Sequence, residues 1–324
     1  NKKGNAAGFY RYPNGVPAAV RTGVFALYPN GFLPEITSDV TDLSIAAGVR
    51  GKIAKNWNFD LSNVYGKNIF DYGVQNSINY SQVGSVSTPQ TSFDAGGNTF
   101  SQNTTNFDMS RKYGDILEGL NVAFGAEYRV DQFGTRAGEE ASYKNYNTSL
   151  GVAAGSQVFP GFLPSNAGTH SRSNVGVYTD LELDVTKKWV VSGALRLENY
   201  SDFGAVSTFK TSFRYKVTDN FNFRGSFSTG YRAPSLQQKY FSNTLTSFSN
   251  GGLVQSRVAN NDDPITRLAG IPKLKQETSN NMSLGFSWKP MQGLSVTVDG
   301  YQIKMKDRVV LSGLFSAGDA TLPT

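Results

Sequence analysis

Ser173-Asn174-Val175-Gly176-Val177-Tyr178-Thr179-Asp180-Leu181-Glu182-Leu183 alternates apolar and polar residues with a period of two. Successive side chains of a β-strand point to opposite faces. Val175, Val177, Leu181 and Leu183 therefore share one face, and Asp180 and Glu182 the other. The next stretch, 189–199, repeats the pattern: Trp189, Val191, Leu195 and Leu197 stand opposite Arg196 and Glu198. Similar alternation runs through 43–53, 57–65, 120–130, 209–217, 221–231, 282–288 and 294–298, with a shorter segment at 105–111. The reading predicts an all-β chain of about ten strands, most near the roughly nine to eleven residues that cross a bilayer when tilted.

The connections alternate in length. Short turns are expected at 55–56, 185–188, 218–220 and 289–293, and a slightly longer one at 114–119. Between them lie long polar, Gly-rich loops at 67–103, 132–172 and 232–277, and a shorter one at 199–208. An antiparallel up-and-down barrel sorts its connections in this way, with tight turns at one rim and large loops at the other. Trp57, Trp189 and Trp288 all fall beside short turns, and Phe221 takes the same place after Asn220. Indole rings favour a membrane–water boundary, where an apolar ring and a polar N–H are both satisfied. These four are expected to form an interfacial girdle. The plainer account makes the tryptophans caps on a soluble core.

Composition agrees with strands whose faces meet unlike solvents. Aromatic residues make up 13% of the chain and charged residues only 17%, against about a quarter charged in an ordinary soluble domain. Mean hydropathy is −0.35, and no apolar run is long enough for a membrane helix. The net charge of +6 is mild and its cations are scattered, so nucleic acid is not an expected partner. With no cysteine, disulfides and thiolate chemistry are excluded. The opening Asn1-Lys2-Lys3-Gly4 shows no signal peptide, which an exported protein needs unless it is cleaved or lies upstream.

Catalytic constellations are scarce, and neither a catalytic site, a metal site nor a cofactor is expected. The sole histidine, His170, reads as a solvated loop residue. Asp180, Glu182 and Asp184 alternate on the wet face and are expected to pair with Arg196, Lys210, Arg214 or Arg224. Glu198 joins these lumen-facing charges. Asp262-Asp263 resembles a calcium-binding pair, but two adjacent loop acids more simply solvate the loop. Asn103-Thr104-Thr105 and Asn147-Thr148-Ser149 match the glycosylation pattern, which is uninformative if the source is bacterial. Phe159, Phe162, Tyr240, Phe241 and Phe248 lie in long loops. They are candidates for ligand contact at a barrel mouth, or for packing loop against loop.

Five stretches resemble one family. Gly230-Tyr231-Arg232-Ala233-Pro234-Ser235 is similar to the Gly-aromatic-Arg-Ala-Pro segment of TonB-dependent outer-membrane receptors. Leu274-Lys275-Gln276-Glu277-Thr278-Ser279 resembles that family's "L-x-P-E-x-S" strand start, with Gln276 where Pro is common. The strand from Gly293 to Asp299 with Lys306-Asp307-Arg308-Val309, the run Leu197-Glu198-Asn199-Tyr200-Ser201-Asp202-Phe203-Gly204, and Tyr28-Pro29-Asn30-Gly31-Phe32-Leu33-Pro34 are also similar.

The resemblance implies a barrel of about twenty-two strands around a folded plug. It implies a surface ligand such as an iron chelate, outer-membrane lipid around the wall, and the TonB protein pulling on the plug. At about 27 residues per strand such a barrel needs about 600 residues. Residues 1–324 are thus expected to be the middle of one barrel domain, with the plug and the C-terminal strands elsewhere. A passive porin-like channel and a surface β-rich adhesin are the rival readings.

Overall fold

The computed structural model describes residues 2–4, 16–54, 56–249, 252–313 and 315. Lys55 of the first expected turn, the side chain of Phe248 and the chain end at Leu322–Thr324 lie outside the described residues. The strands, in chain order, are β1 (Lys2–Gly4), β2 (Glu35–Ile53), β3 (Trp57–Gln75), β4 (Phe93–Tyr113), β5 (Gly119–Arg136) and β6 (Gly168–Asp184). They continue with β7 (Trp189–Tyr200), β8 (Gly204–Thr218), β9 (Phe221–Arg232), β10 (Asn243–Ser249), β11 (Gly252–Val258), β12 (Glu277–Met291) and β13 (Leu294–Lys306). Four helices decorate the loops: α1 (Ala18–Leu27), α2 (Glu140–Tyr143), α3 (Leu236–Tyr240) and α4 (Pro264–Leu268).

Eleven strands form one antiparallel sheet in the order β1-β2-β3-β4-β5-β6-β7-β8-β9-β12-β13, each beside its chain neighbour except where β10 and β11 intervene. β10 and β11 pair only with each other, as a hairpin inside the 232–277 connection. All ten expected strands are present, and the short turns fall where their breaker residues stand. Asn56 (φ 66°) and Gly293 (φ 83°) occupy the left-handed region that tight hairpins require.

Three of the four long loops are shorter than expected, because the strands run on past the apolar segments. β4 has 21 residues, roughly 70 Å of chain at about 3.4 Å per residue, about twice what a bilayer takes. Its upper half, 93–104, is polar and Gly-rich, which hid it from a period-two search. The β10–β11 hairpin was missed for the same reason.

Register fixes the two faces. One rung joins Leu61, Phe107, Ala126, Val177 and Leu197 across five strands. Four of these side chains are 42–49% exposed, a large apolar surface that the other described residues leave uncovered. The alternate residues face a polar lumen side. Among the described residues no apolar core lies beneath this sheet. What buried apolar clusters exist lie above it, among the loops.

Candidate ligand mouth and lumen wall

The outward face ends in aromatic residues at the short-turn rim. Trp57 meets the rings of Phe124 (5.5 Å) and Tyr113 (6.4 Å); Trp189 meets Tyr215 (4.8 Å) and Phe213. Trp288 pairs in register with Phe221, which meets Phe223 edge-on and Phe286 at a tilt. All four girdle candidates thus sit on the outward ladder. Trp189 and Trp288 are 40% and 43% exposed there and Trp57 is partly buried, so among the described residues no core encloses the three indoles. Arg111 lies near the same rim, its guanidinium 4.2 Å over the Tyr113 ring.

On the lumen side the charges interlock, but not as expected. Arg196 bridges Glu127 on β5 (3.2 Å) and Glu198 beside it on β7. Arg224 reaches Asp299 on β13 in a two-pronged pair at 2.9 and 2.5 Å. Asp180, Glu182 and Asp184 make no ion pair with Arg196, Lys210, Arg214 or Arg224, so that expectation is corrected. The reason is reach: β6 and β8 are two strands apart, about 10 Å, and nearer acids capture Arg196 and Arg224.

Three of the long bridges that do form cross a glycine. Tyr178 on β6 donates to Asp108 on β4 at 2.5 Å, over Gly125 of β5 in the same rung. A Cβ at Gly125 would lie 2.6 Å from both partners. Gly176 likewise clears Arg196 on its way to Glu127, and Gly285 clears Asp299 on its way to Arg224. The absent side chain leaves the space through which strands i and i+2 clasp each other.

Higher up, a network that the alternation gave no hint of ties the wall to the mouth. Arg172 is buried and donates to Asp131 (3.0 Å) and to the Pro234 carbonyl (2.7 Å). Arg129 donates to the Tyr200 hydroxyl at 2.9 Å, which meets the Tyr231 hydroxyl at 3.0 Å. Tyr231 donates in turn to Glu198, which Asn174 also holds at 2.9 Å. Arg232 forms a two-pronged pair with Glu277 at 2.9 and 3.0 Å. That last pair joins two of the five motifs that carry the family resemblance, and it was the signal available in the sequence.

The mouth is folded rather than open. Phe159 and Phe162 are 7% and 1% exposed, packed with Val74, Phe93, Ala95 and Ala141. Of the two roles open to these phenylalanines, the geometry shows loop packing; they present no face to a ligand. Phe241 contacts the edge of Phe162 at 6.0 Å and stays half-buried. Tyr240 is half-buried and lies flat on His170, with centroids 3.7 Å apart and planes 1° from parallel. His170 is exposed, as expected, but stands on strand β6 with a stacking partner rather than in a loop. A second cluster packs α1, through Val20 and Val24, on Phe32, Ile78 and Tyr80. Burial there holds the Tyr28 phenol above its usual pKa while it donates to the Ser77 carbonyl. Asp263 caps α4 and pairs with Arg257, which uses the acid that a calcium site would need. Among the described residues no group of acids and histidine could hold a metal.

Comparison with known proteins places this wall. The family model for the TonB dependent receptor-like β-barrel matches residues 1–321. The vitamin B12 transporter BtuB of Vibrio vulnificus (strain CMCP6) is 27% identical over 133 residues, which is 40% of this chain and 18% of that protein. The crystal structure of the siderophore receptor PirA from Acinetobacter baumannii superposes with a TM-score of 0.54 at 17% identity, covering 85% of this chain and 35% of that one. The RagAB peptide importer in its open-open state gives 0.52 at 12% identity, covering 91% and 32%. The chain thus spans about a fifth to a third of the length of these relatives. The family is one of receptors and transporters rather than enzymes. With its two-faced strands, its clasped lumen and a family match over nearly its whole length, the chain belongs to the TonB-dependent receptors as part of their β-barrel domain.

Proposed function

We propose that this chain is a section of an outer-membrane barrel of about twenty-two strands that takes up a scarce solute, with a plug in its lumen and TonB as the source of force. The observation that carries the reading is the wall's asymmetry. It has an apolar outer band ending in Trp57, Trp189 and Trp288 at the short-turn rim, and folded loops at the opposite rim. Lipid contacts the band, the loops face the medium, and solute enters between them. Among solutes, a ferric chelate is the reading that the siderophore-receptor neighbours support.

Two measurements test this on the full-length receptor. A cysteine replacing exposed Ser165 is expected to react with an impermeant thiol reagent on intact cells, and one replacing Lys187 is not. Receptor-dependent growth on ferric chelates under iron limitation is expected to vanish in cells lacking TonB. Labelling at Lys187 alone would invert the topology, and equal growth without TonB would make the barrel a passive channel.

A further inference from the structure

One cation of the wall stands on the outward face at the short-turn rim. Phe107 of the outward rung is followed on the same face of β4 by Met109 and Arg111. Arg111 lies opposite Val122 of β5, which lies opposite Leu181 of β6. On the described strands no other lysine or arginine occupies the outward ladder at this end; Arg50, Lys52 and Lys112 belong to the lumen face.

An arginine beside lipid costs little where its stem lies along apolar surface and its head reaches the interface. Arg111 has this arrangement. Its guanidinium lies 4.2 Å over the ring of Tyr113, two residues nearer the turn. Tyr113 meets Trp57 edge-on at 6.4 Å, and Trp57 meets Phe124 at 5.5 Å. Stacking covers the flat face of a guanidinium and leaves the N–H groups along its edge free to donate. Neither that edge nor the Trp57 indole N–H makes a hydrogen bond among the described residues. Asp115 and Glu118, in the turn below, form no ion pair with Arg111 there.

The place of this cluster limits what can answer it. β4 lies inside the wall, between β3 and β5. Strands that complete a barrel join at the two ends of the sheet, and a plug fills the opposite face, so neither covers Arg111. What adjoins the end of an apolar band is the headgroup layer of the leaflet. A phosphodiester presents two oxygens that match the guanidinium fork, and a headgroup hydroxyl accepts from an indole N–H. Among the described outward residues at this rim no strand carboxylate answers the ammonium of a zwitterionic headgroup, which favours one with a net negative charge.

Resting on the reading that the outward face meets lipid, we propose that Arg111, Tyr113 and Trp57 form a site for an anionic phospholipid headgroup of the phosphatidylglycerol kind. The phosphate takes the N–H edge of Arg111, Tyr113 holds the guanidinium plane, and Trp57 donates to the glycerol.

The test folds the full-length receptor into phosphatidylcholine vesicles, with and without phosphatidylglycerol, and titrates each with urea. Phosphatidylglycerol is expected to raise the folding equilibrium constant about fivefold more for the unmodified receptor than for Arg111→Gln, as for one arginine at an anionic surface. Lys112→Gln removes the same charge one residue away on the lumen face, and is expected to respond as the unmodified receptor does. If the two variants respond alike, or Arg111→Gln responds like the unmodified receptor, the proposal is overturned. A second measurement needs no change at Arg111. Phosphatidylglycerol with brominated chains is expected to quench the fluorescence that Trp57→Phe removes more strongly than brominated phosphatidylcholine does; equal quenching also overturns the site. If the Ser165 and Lys187 labelling holds while both lipid measurements fail, the headgroup site is wrong and the receptor reading stands. Inverted labelling removes the receptor reading whatever the lipids do.

Discussion

Arginine placed on the outward ladder tests whether that face meets lipid, and how deep each position lies. Val177 is 47% exposed, between Ala126 and Leu197 in one rung. It lies roughly 14 Å above Leu183 at about 3.4 Å per residue and a tilt of about 45°. In an apolar band about 25 Å tall, that is near the midplane. Val177→Arg should therefore cost about 2–4 kcal/mol, and Leu183→Arg, beside the girdle, about 0–1 kcal/mol. Ser110→Arg, on the lumen face between Asn58 and Ala123, meets water and should cost about 0.5 kcal/mol or less. Urea titration of the full receptor folding into phosphatidylcholine vesicles, followed by tryptophan fluorescence, measures all three. Equal costs for Val177→Arg and Ser110→Arg would refute the assignment of faces. A larger cost at Leu183 than at Val177 would refute the depth scale.

The loop cluster and the clasps make their own predictions. Phe162→Ala removes a ring that is 1% exposed, and the cavity should cost about 3–5 kcal/mol. The loss should appear as faster proteolysis within 137–167 while the barrel keeps its heat-modifiable mobility; unchanged cleavage would mean that the ring does not hold the loops. Gly125→Val should break the Tyr178–Asp108 bond and cost about 1–3 kcal/mol. Gly193→Ala, whose new Cβ meets nothing nearer than 4.0 Å, should be near neutral in the same titration.

The lower half of the strands was readable because its two faces carry unlike side chains, apolar outward and polar inward, which leaves a period-two record. Trp57, Trp189 and Trp288 stand at the lower end of that apolar ladder. Above the band that constraint ends. Residues 93–104 extend β4 with Gly, Asn, Ser, Gln and Thr on either face, since water or neighbouring loops receive both. Backbone pairing continues there without an apolar signature. Ion pairing was misread because alternation gives the face of a residue but not its neighbours. Asp180 and Lys210 share a face and one rung, yet Ala194 stands between them. Phe159 and Phe162 show the limit for loops: an aromatic residue in a Gly-rich stretch reads the same whether it packs inward or waits for a ligand.

The upper wall has a seam that the hydroxyl network spans. β8 and β9 pair only from Lys210–Ser228 down to Thr218–Phe221, although β8 begins at Gly204 and β9 ends at Arg232. At the end of that ladder the Thr229 hydroxyl takes over, accepting from the Phe209 amide at 3.0 Å. Beyond it the two strands have no shared register. Tyr231 instead passes β8 and donates to Glu198 on β7. It is the side-chain link between the strand that carries the 232–277 loop and the wall behind β8. A hydrogen bond to a charged group is worth about 1.5–3 kcal/mol. Glu198 keeps Arg196 and Asn174 when the phenol is removed, so the carboxylate is not stranded. Tyr231→Phe should therefore open the seam alone: amide exchange at 204–208 should quicken by roughly 10- to 100-fold, at about 1.4 kcal/mol per tenfold. Exchange at 211–217, below the Thr229 cap, should not change. Faster exchange along the whole of β8 would mean that Tyr231 stabilises the strand generally, and unchanged exchange at 204–208 would mean that it does not hold the seam.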